Sequence, residues 1–202
     1  MPGPRAAEED RKAQILQAAY EVGSQRGLSG LTVRLVAAEA GLSNGLVHFH
    51  FKTKEALLIA LLDWLLATTT VLQVSDEVAA IPSPLDRLLA LLRQEMDRLI
   101  RDRPRVHLFF DFWLMGIRHR KIGKRMRAEL DRYRETFLPM AEEVLAAEPE
   151  RFPGVTPEGL AAVSVGFING CAVQSMIDPD HFDVAQFIRA TNGVMAQLGG
   201  SA

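Results

Sequence analysis

The chain has 202 residues, 48% hydrophobic and 24% charged, enough apolar content for one large or two small packed domains. Its net charge of −2 and pI near 6.2 exclude a wholly basic nucleic-acid coat but allow a small basic patch. One cysteine, Cys171, excludes an intrachain disulfide framework and suits a reducing cytosol. The opening MPGPRAAEEDRK carries charges where a secretory leader would have an apolar core.

Helical period runs through almost every segment, and hairpin dipeptides between alternating apolar runs are missing. The pattern predicts an all-α fold of about nine helices. The first spans 8–26 and stops at Gly27, a residue suited to a left-handed C-terminal cap. The second follows Thr32 as N-cap, turns Leu35, Val36 and Ala40 inward and ends at Gly41. The third follows Ser43 and lasts to about His50. The fourth opens at Thr53, with Glu55 favourably placed in its first turn, and runs to about Val74. The apolar run Ala56–Leu72 holds Asp63, whose carboxylate would cost about 2.5–3.5 kcal/mol at a bilayer centre, so no membrane span is expected there.

IPSP, with Pro82 and Pro84, is a boundary signal. Helices are then expected over 85–101, from Pro104 through the aromatic RVHLFFDFWLMG, over 121–147, over 158–177 and over 183–198. EPERFPGVTP reads as a loop.

GLSNGLVHFHFKTKEALL, Gly41–Leu58, places polar residues among Leu, Val and Phe. Two short helices joined by AGLS match a helix-turn-helix. Val47 and Phe51, four apart, would face a core, leaving Asn44, Gly45, Leu46 and His48 outside. Asn reads adenine edges, Gly permits close approach and Leu meets a thymine methyl. Lys54 and the amides near Thr53 would hold a phosphate at a helix N-terminus. A plain three-helix packing unit with surface polar residues fits the same spacing.

The run LTVRLVAAEAGLSNGLVHFHFKTKEALL resembles the DNA-binding domain of the TetR/AcrR family of bacterial transcriptional regulators over about Ile15–Leu62. The resemblance implies an N-terminal helix-turn-helix domain, 8–54, and a helical effector and dimerisation domain, 55–202. It implies a homodimer on double-stranded DNA with a palindromic operator and, usually, repression relieved by a small-molecule effector; a cytoplasmic protein with no cofactor, metal or membrane partner is expected from the single cysteine, the interrupted apolar run and the missing ligand motifs. By position it makes Arg34, Asn44, Gly45, Leu46 and His48 base-side residues, and Thr32, Phe49, His50 and Lys54 backbone-side residues. His48 stands where that family typically has Tyr. INGCAVQSMIDPDHF is more loosely similar to the family's BetI-like branch. The competing class is an all-helical small-molecule-binding protein or enzyme, but no catalytic set is visible.

HLFFDFWLMG reads as core or as the wall of a ligand pocket, with Phe109, Phe110 and Trp113 as candidates joined by Met96, Phe137, Met140 and Phe167. Asp111 could face a cation, and His107 four residues before it could share a metal; a plain hydrogen bond is the simpler reading. His48 and His50 point apart on a helix and make a poor metal pair. The basic run Arg118–Arg127 reads as a solvated face answered by Glu129, Asp131 and Glu135. Cys171 reads as a buried structural thiol. Val163, Gly166, Phe167, Gly170 and Gln174 form a stripe that would pair with its copy across a two-fold axis.

Overall fold

The structure is a computed structural model that describes residues 4–68 and 74–197. The described residues form ten α-helices: α1 (Pro4–Gly30), α2 (Val33–Glu39), α3 (Asn44–His50), α4 (Lys54–Thr68), α5 (Asp76–Ala79), α6 (Pro84–Arg101), α7 (Arg103–Arg118), α8 (Arg120–Ala147), α9 (Pro157–Ile177) and α10 (Val184–Gln197). A 3-10 turn at Pro149–Arg151 interrupts the expected loop. The chain packs as two compact units, one of residues 1–69 with Pro104–Ala128, the other of Thr70–Arg103 with Glu129–Ala202. Residues 69–73, in the expected tail of the fourth helix, and Leu198 lie outside the described residues.

The predicted caps form. The backbone N–H groups of Leu35, Leu46 and Ala56 donate to the hydroxyls of Thr32, Ser43 and Thr53 at 3.2, 3.2 and 3.0 Å. Gly41, at φ 66°, closes α2: its N–H donates to Ala38 O at 3.1 Å and that of Leu42 to Ala37 O at 2.8 Å. Gly27 breaks α1 at φ 67°, but one further turn continues to Gly30. That turn is held from outside, because the Leu28 N–H donates to Asp111 Oδ2 on α7 at 3.0 Å.

In the first unit, Ile15, Val36, Val47, Leu61, Leu65 and Phe112 are fully buried in one cluster. Gln14 Nε2 on α1 donates to Ala40 O at 2.8 Å and fixes the end of α2. In the second unit α6 packs on α9, and Leu88, Leu91, Leu92, Val165 and Ile168 are buried in one cluster. α8 continues through Pro139, which removes one helical hydrogen bond. Pro139 and Glu135, whose carbonyl loses its partner, are both exposed, so water can take over.

α9 is long and apolar enough to cross a bilayer by length and composition. Its inner side is nonetheless packed: Leu160, Ala161, Ser164, Val165, Ile168, Cys171 and Ala172 are buried. Its outer side exposes Val163 and Ile177.

Candidate nucleic-acid interface

α2 and α3 meet at the Gly41 turn, and the core decides which edge of α3 is left outside. Val47 is fully buried and Phe51 is 7% exposed. Asn44, Gly45 and His48 are exposed, Leu46 and His50 are half-buried, and Phe49 is 64% exposed. Phe49 meets the His50 ring edge-on at 5.2 Å, and Lys52 Nζ lies 5.2 Å from its centroid. Lys52 stood outside the predicted set. Its signal was available in the sequence, as a cation three residues beyond Phe49.

Thr32, Arg34, Thr53 and Lys54 are exposed at the starts of α2 and α4. Thr32 Oγ1 accepts from Leu35 N–H, which leaves its own proton free to donate to a phosphate oxygen. α4 begins at Lys54, so its first amides point away from the helix with partial positive charge. The first unit thus presents a polar and cationic edge made by α2, α3 and the start of α4, all carried on one core.

The basic run after α7 is answered differently from expectation. Arg125 Nε and Nη2 donate to Asp63 Oδ1 and Oδ2 at 2.5 and 3.0 Å, and Lys121 Nζ contacts Glu55 Oε1 at 2.8 Å. The Lys121 hydrogen bond, then its charge, hold the Glu55 carboxyl below the usual range. The counter-charges come from α4, because α8 packs beside α4 only in three dimensions. Glu129 and Asp131 pair instead with Arg132 at 2.7 Å and Arg134 at 3.5 Å.

Asp111 Oδ2 accepts the Leu28 amide, as the hydrogen-bond reading expected. Among the described residues no group of three or more His, Cys, Asp or Glu side chains is placed to hold a metal.

The candidate pocket residues divide between the units. Phe109, Phe110 and Trp113 belong to the first and are mutually packed at centroid distances of 5.6–5.8 Å. Met96, Phe137, Met140 and Phe167 belong to the second, with Met96 and Phe137 essentially sealed and Met140 and Phe167 half-buried.

Next to Met96 lies a polar group that sequence reasoning missed. Glu95 is fully buried, accepts from Arg98 Nε and Nη2 at 3.0 and 2.8 Å, and accepts the Tyr133 hydroxyl at 3.2 Å. Burial, then the Glu95 charge, raise the Tyr133 phenol far above its usual range, so it remains a neutral donor. The signal was a carboxylate on the apolar stripe Leu88, Leu91, Leu92, Glu95 of α6.

The description "Bacterial regulatory proteins, tetR family" matches residues 15–61, and "BetI-type transcriptional repressor, C-terminal" matches residues 84–199. The "HTH-type transcriptional regulator BetI" of Paraburkholderia phymatum is 27% identical over 185 residues, covering 91% of this chain and 90% of the relative. The protein of that name from Serratia proteamaculans is 26% identical over 199 residues, covering 94% and 93%. A transcriptional regulator from Saccharomonospora viridis, solved in complex with choline, shares the fold at TM-score 0.75 and 20% identity, covering 93% of this chain and 96% of its own. The chain therefore belongs to the tetR family of bacterial regulatory proteins, with a BetI-type C-terminal region, and is a DNA-binding transcriptional regulator rather than an enzyme.

Proposed function

We propose that the protein is a cytoplasmic homodimeric repressor that holds a palindromic operator through α3 of each copy and leaves it when a small organic effector binds. The observation that carries this reading is the division of α3 into a core edge, Val47 with the adjoining Phe51, and an outward edge, Asn44, Gly45, His48 and Phe49. Arg34, Asn44, Gly45, Leu46 and His48 meet base edges, while Thr32, Phe49, His50 and Lys54 meet the backbone. One seven-residue helix covers only a half-site, so two copies must sit about 34–36 Å apart in successive major grooves.

Functionally the chain divides into 8–54 for DNA and 55–202 for effector binding and dimerisation. The dimer forms on the outer strip of α9, Val163, Gly166, Phe167, Gly170 and Gln174. An added Cβ at Gly166 or Gly170 meets nothing within 4 Å, so this strip has room for a second helix.

The effector takes its apolar contacts from the candidate pocket residues of the second unit, Met96, Phe137, Met140 and Phe167. Within the second unit, Tyr133 meets Phe137 edge-on at 5.7 Å, and Tyr133 and Arg98 together hold the buried Glu95 next to Met96 in the chain. Choline, bound by the Saccharomonospora viridis protein, is the first effector to test. The signal is a population shift rather than a new contact network. α8 is suited to carry it, since its start is ion-paired to α4 through Arg125–Asp63 and Lys121–Glu55.

The test is fluorescence anisotropy with an inverted-repeat duplex selected by the protein from random sequence. Tight, salt-dependent binding to that duplex and weaker binding to a scrambled one are expected; equal affinity for both would sink the reading. Lys54→Ala should weaken binding to every duplex about equally and lower the salt slope by about 0.9.

A further inference from the structure

Within the first unit, α4, the end of α7 and the start of α8 surround an open groove of about 880 Å³. Its walls are aliphatic: Leu58, Leu114, Met115, Ile117 and Ile122. Leu58 and Ile122 are buried at its base, whereas Leu114 and Ile117 are 66% and 72% exposed. Two large aliphatic side chains one turn apart and facing water mark a surface that gains free energy when covered.

The rim is cationic. Lys54, Arg118 and His119 line it, with Glu55 as the one acidic group. Glu55 is already engaged, at 2.8 Å by Lys121 and at 3.7 Å by His119. Lys54 and Arg118 have no ion-pair or hydrogen-bond partner among the described residues. An aliphatic trough with two unanswered cations at its mouth is complementary to an apolar chain ending in an anion. It is unsuited to a quaternary ammonium amphiphile, whose charge the rim would repel.

We propose that this groove binds an aliphatic carboxylate of the fatty-acid type, its tail along Leu58, Leu114, Ile117 and Ile122 and its head between Lys54 and Arg118. The volume lies within the usual range of small-ligand sites, roughly 300–1,000 Å³. None of its lining residues is among the candidate effector residues. Where Lys54 also holds a DNA phosphate, which rests on the function proposed above, the bound carboxylate competes with DNA for that ammonium.

The experiment uses the full chain without DNA, so a failure of the DNA reading does not touch it. Dodecanoate, below its micelle concentration, is measured by equilibrium dialysis beside dodecanol and dodecyltrimethylammonium. One dodecanoate per chain is expected, with both comparators at least tenfold weaker. Ile117→Asp and Arg118→Glu change exposed side chains, so their folds should persist, checked by circular dichroism; each should weaken dodecanoate at least tenfold. No binding, equal binding of dodecyltrimethylammonium, or binding that both variants retain overturns the site. So does dissociation of an oligomer by Ile117→Asp, which would show a second copy as the occupant. With operator present, dodecanoate should weaken wild-type DNA binding; unchanged affinity overturns the competition at Lys54.

Discussion

Gly45 lies inside α3, where an added Cβ would come no closer than 3.9 Å to Ser43 Oγ. The fold therefore does not require glycine there, and a helical glycine costs about 0.8–1.0 kcal/mol relative to alanine. Gly45→Ala is expected to raise stability to urea by up to about 1 kcal/mol and to weaken operator binding at least tenfold, because the methyl group meets DNA. A variant that is both more stable and equally tight on DNA would remove Gly45 from the interface.

Cys171, fully buried on α9, supplies a pH test. Burial, then the Asp97 charge, push its thiol from the ordinary 9.0 up to about 11. Between those values the folded chain binds more protons than the unfolded one, so stability falls as pH rises. The contribution is present below about pH 9 and lost on the way to about 11. From pH 8 to 10, wild type should lose about 1 kcal/mol more in urea unfolding than Cys171→Ala. Equal losses would mean that the thiol titrates normally in the folded chain. The comparison cancels Tyr133, whose raised value acts in the same direction in both proteins.

At the scale of elements, the α7–α8 hairpin depends on two glycines. A Cβ at Gly123 would lie 2.4 Å from the Gly116 carbonyl oxygen, a backbone atom that cannot rotate aside. Gly123→Ala must push the helices apart, and overpacking of this kind costs roughly 1–3 kcal/mol. Chemical denaturation should show that loss, together with weaker Lys121–Glu55 and Arg125–Asp63 pairing, because both cations follow from the same turn. Stability equal to wild type would show that the hairpin is looser than this geometry. Helix starts were legible because Thr32, Ser43 and Thr53 act locally through their own hydroxyls. The ion-pair partners of the basic run were not, since Glu55 and Asp63 are distant in sequence and no helical period points to them.

At the scale of the molecule, the outer strip of α9 leaves Val163 48% and Ile177 79% exposed on a helix otherwise packed. An obligate two-fold interface would cover it, burying about 2,000 Å² or more. Phe167 is half-buried on that strip. Phe167→Glu should yield a monomer or aggregate that no longer holds the operator, although every DNA-facing side chain is intact. Sedimentation decides this: a stable DNA-binding dimer would put the interface elsewhere.

The sequence by itself determined the helical class, the turn between α2 and α3 and the outward edge of α3. These follow from spacing of a few residues, where period, cap and glycine conformation act within one or two turns. Only the tertiary structure decided that Asp111 caps the broken end of α1, that Glu95 is buried with Arg98 and Tyr133, and that Leu114 and Ile117 flank a cationic groove. All three need residues brought together from distant parts of the chain. The burial of Glu95 depends on how α6, α8 and α9 pack, and a carboxylate on an apolar stripe looks the same in sequence whether water or a tyrosine receives it.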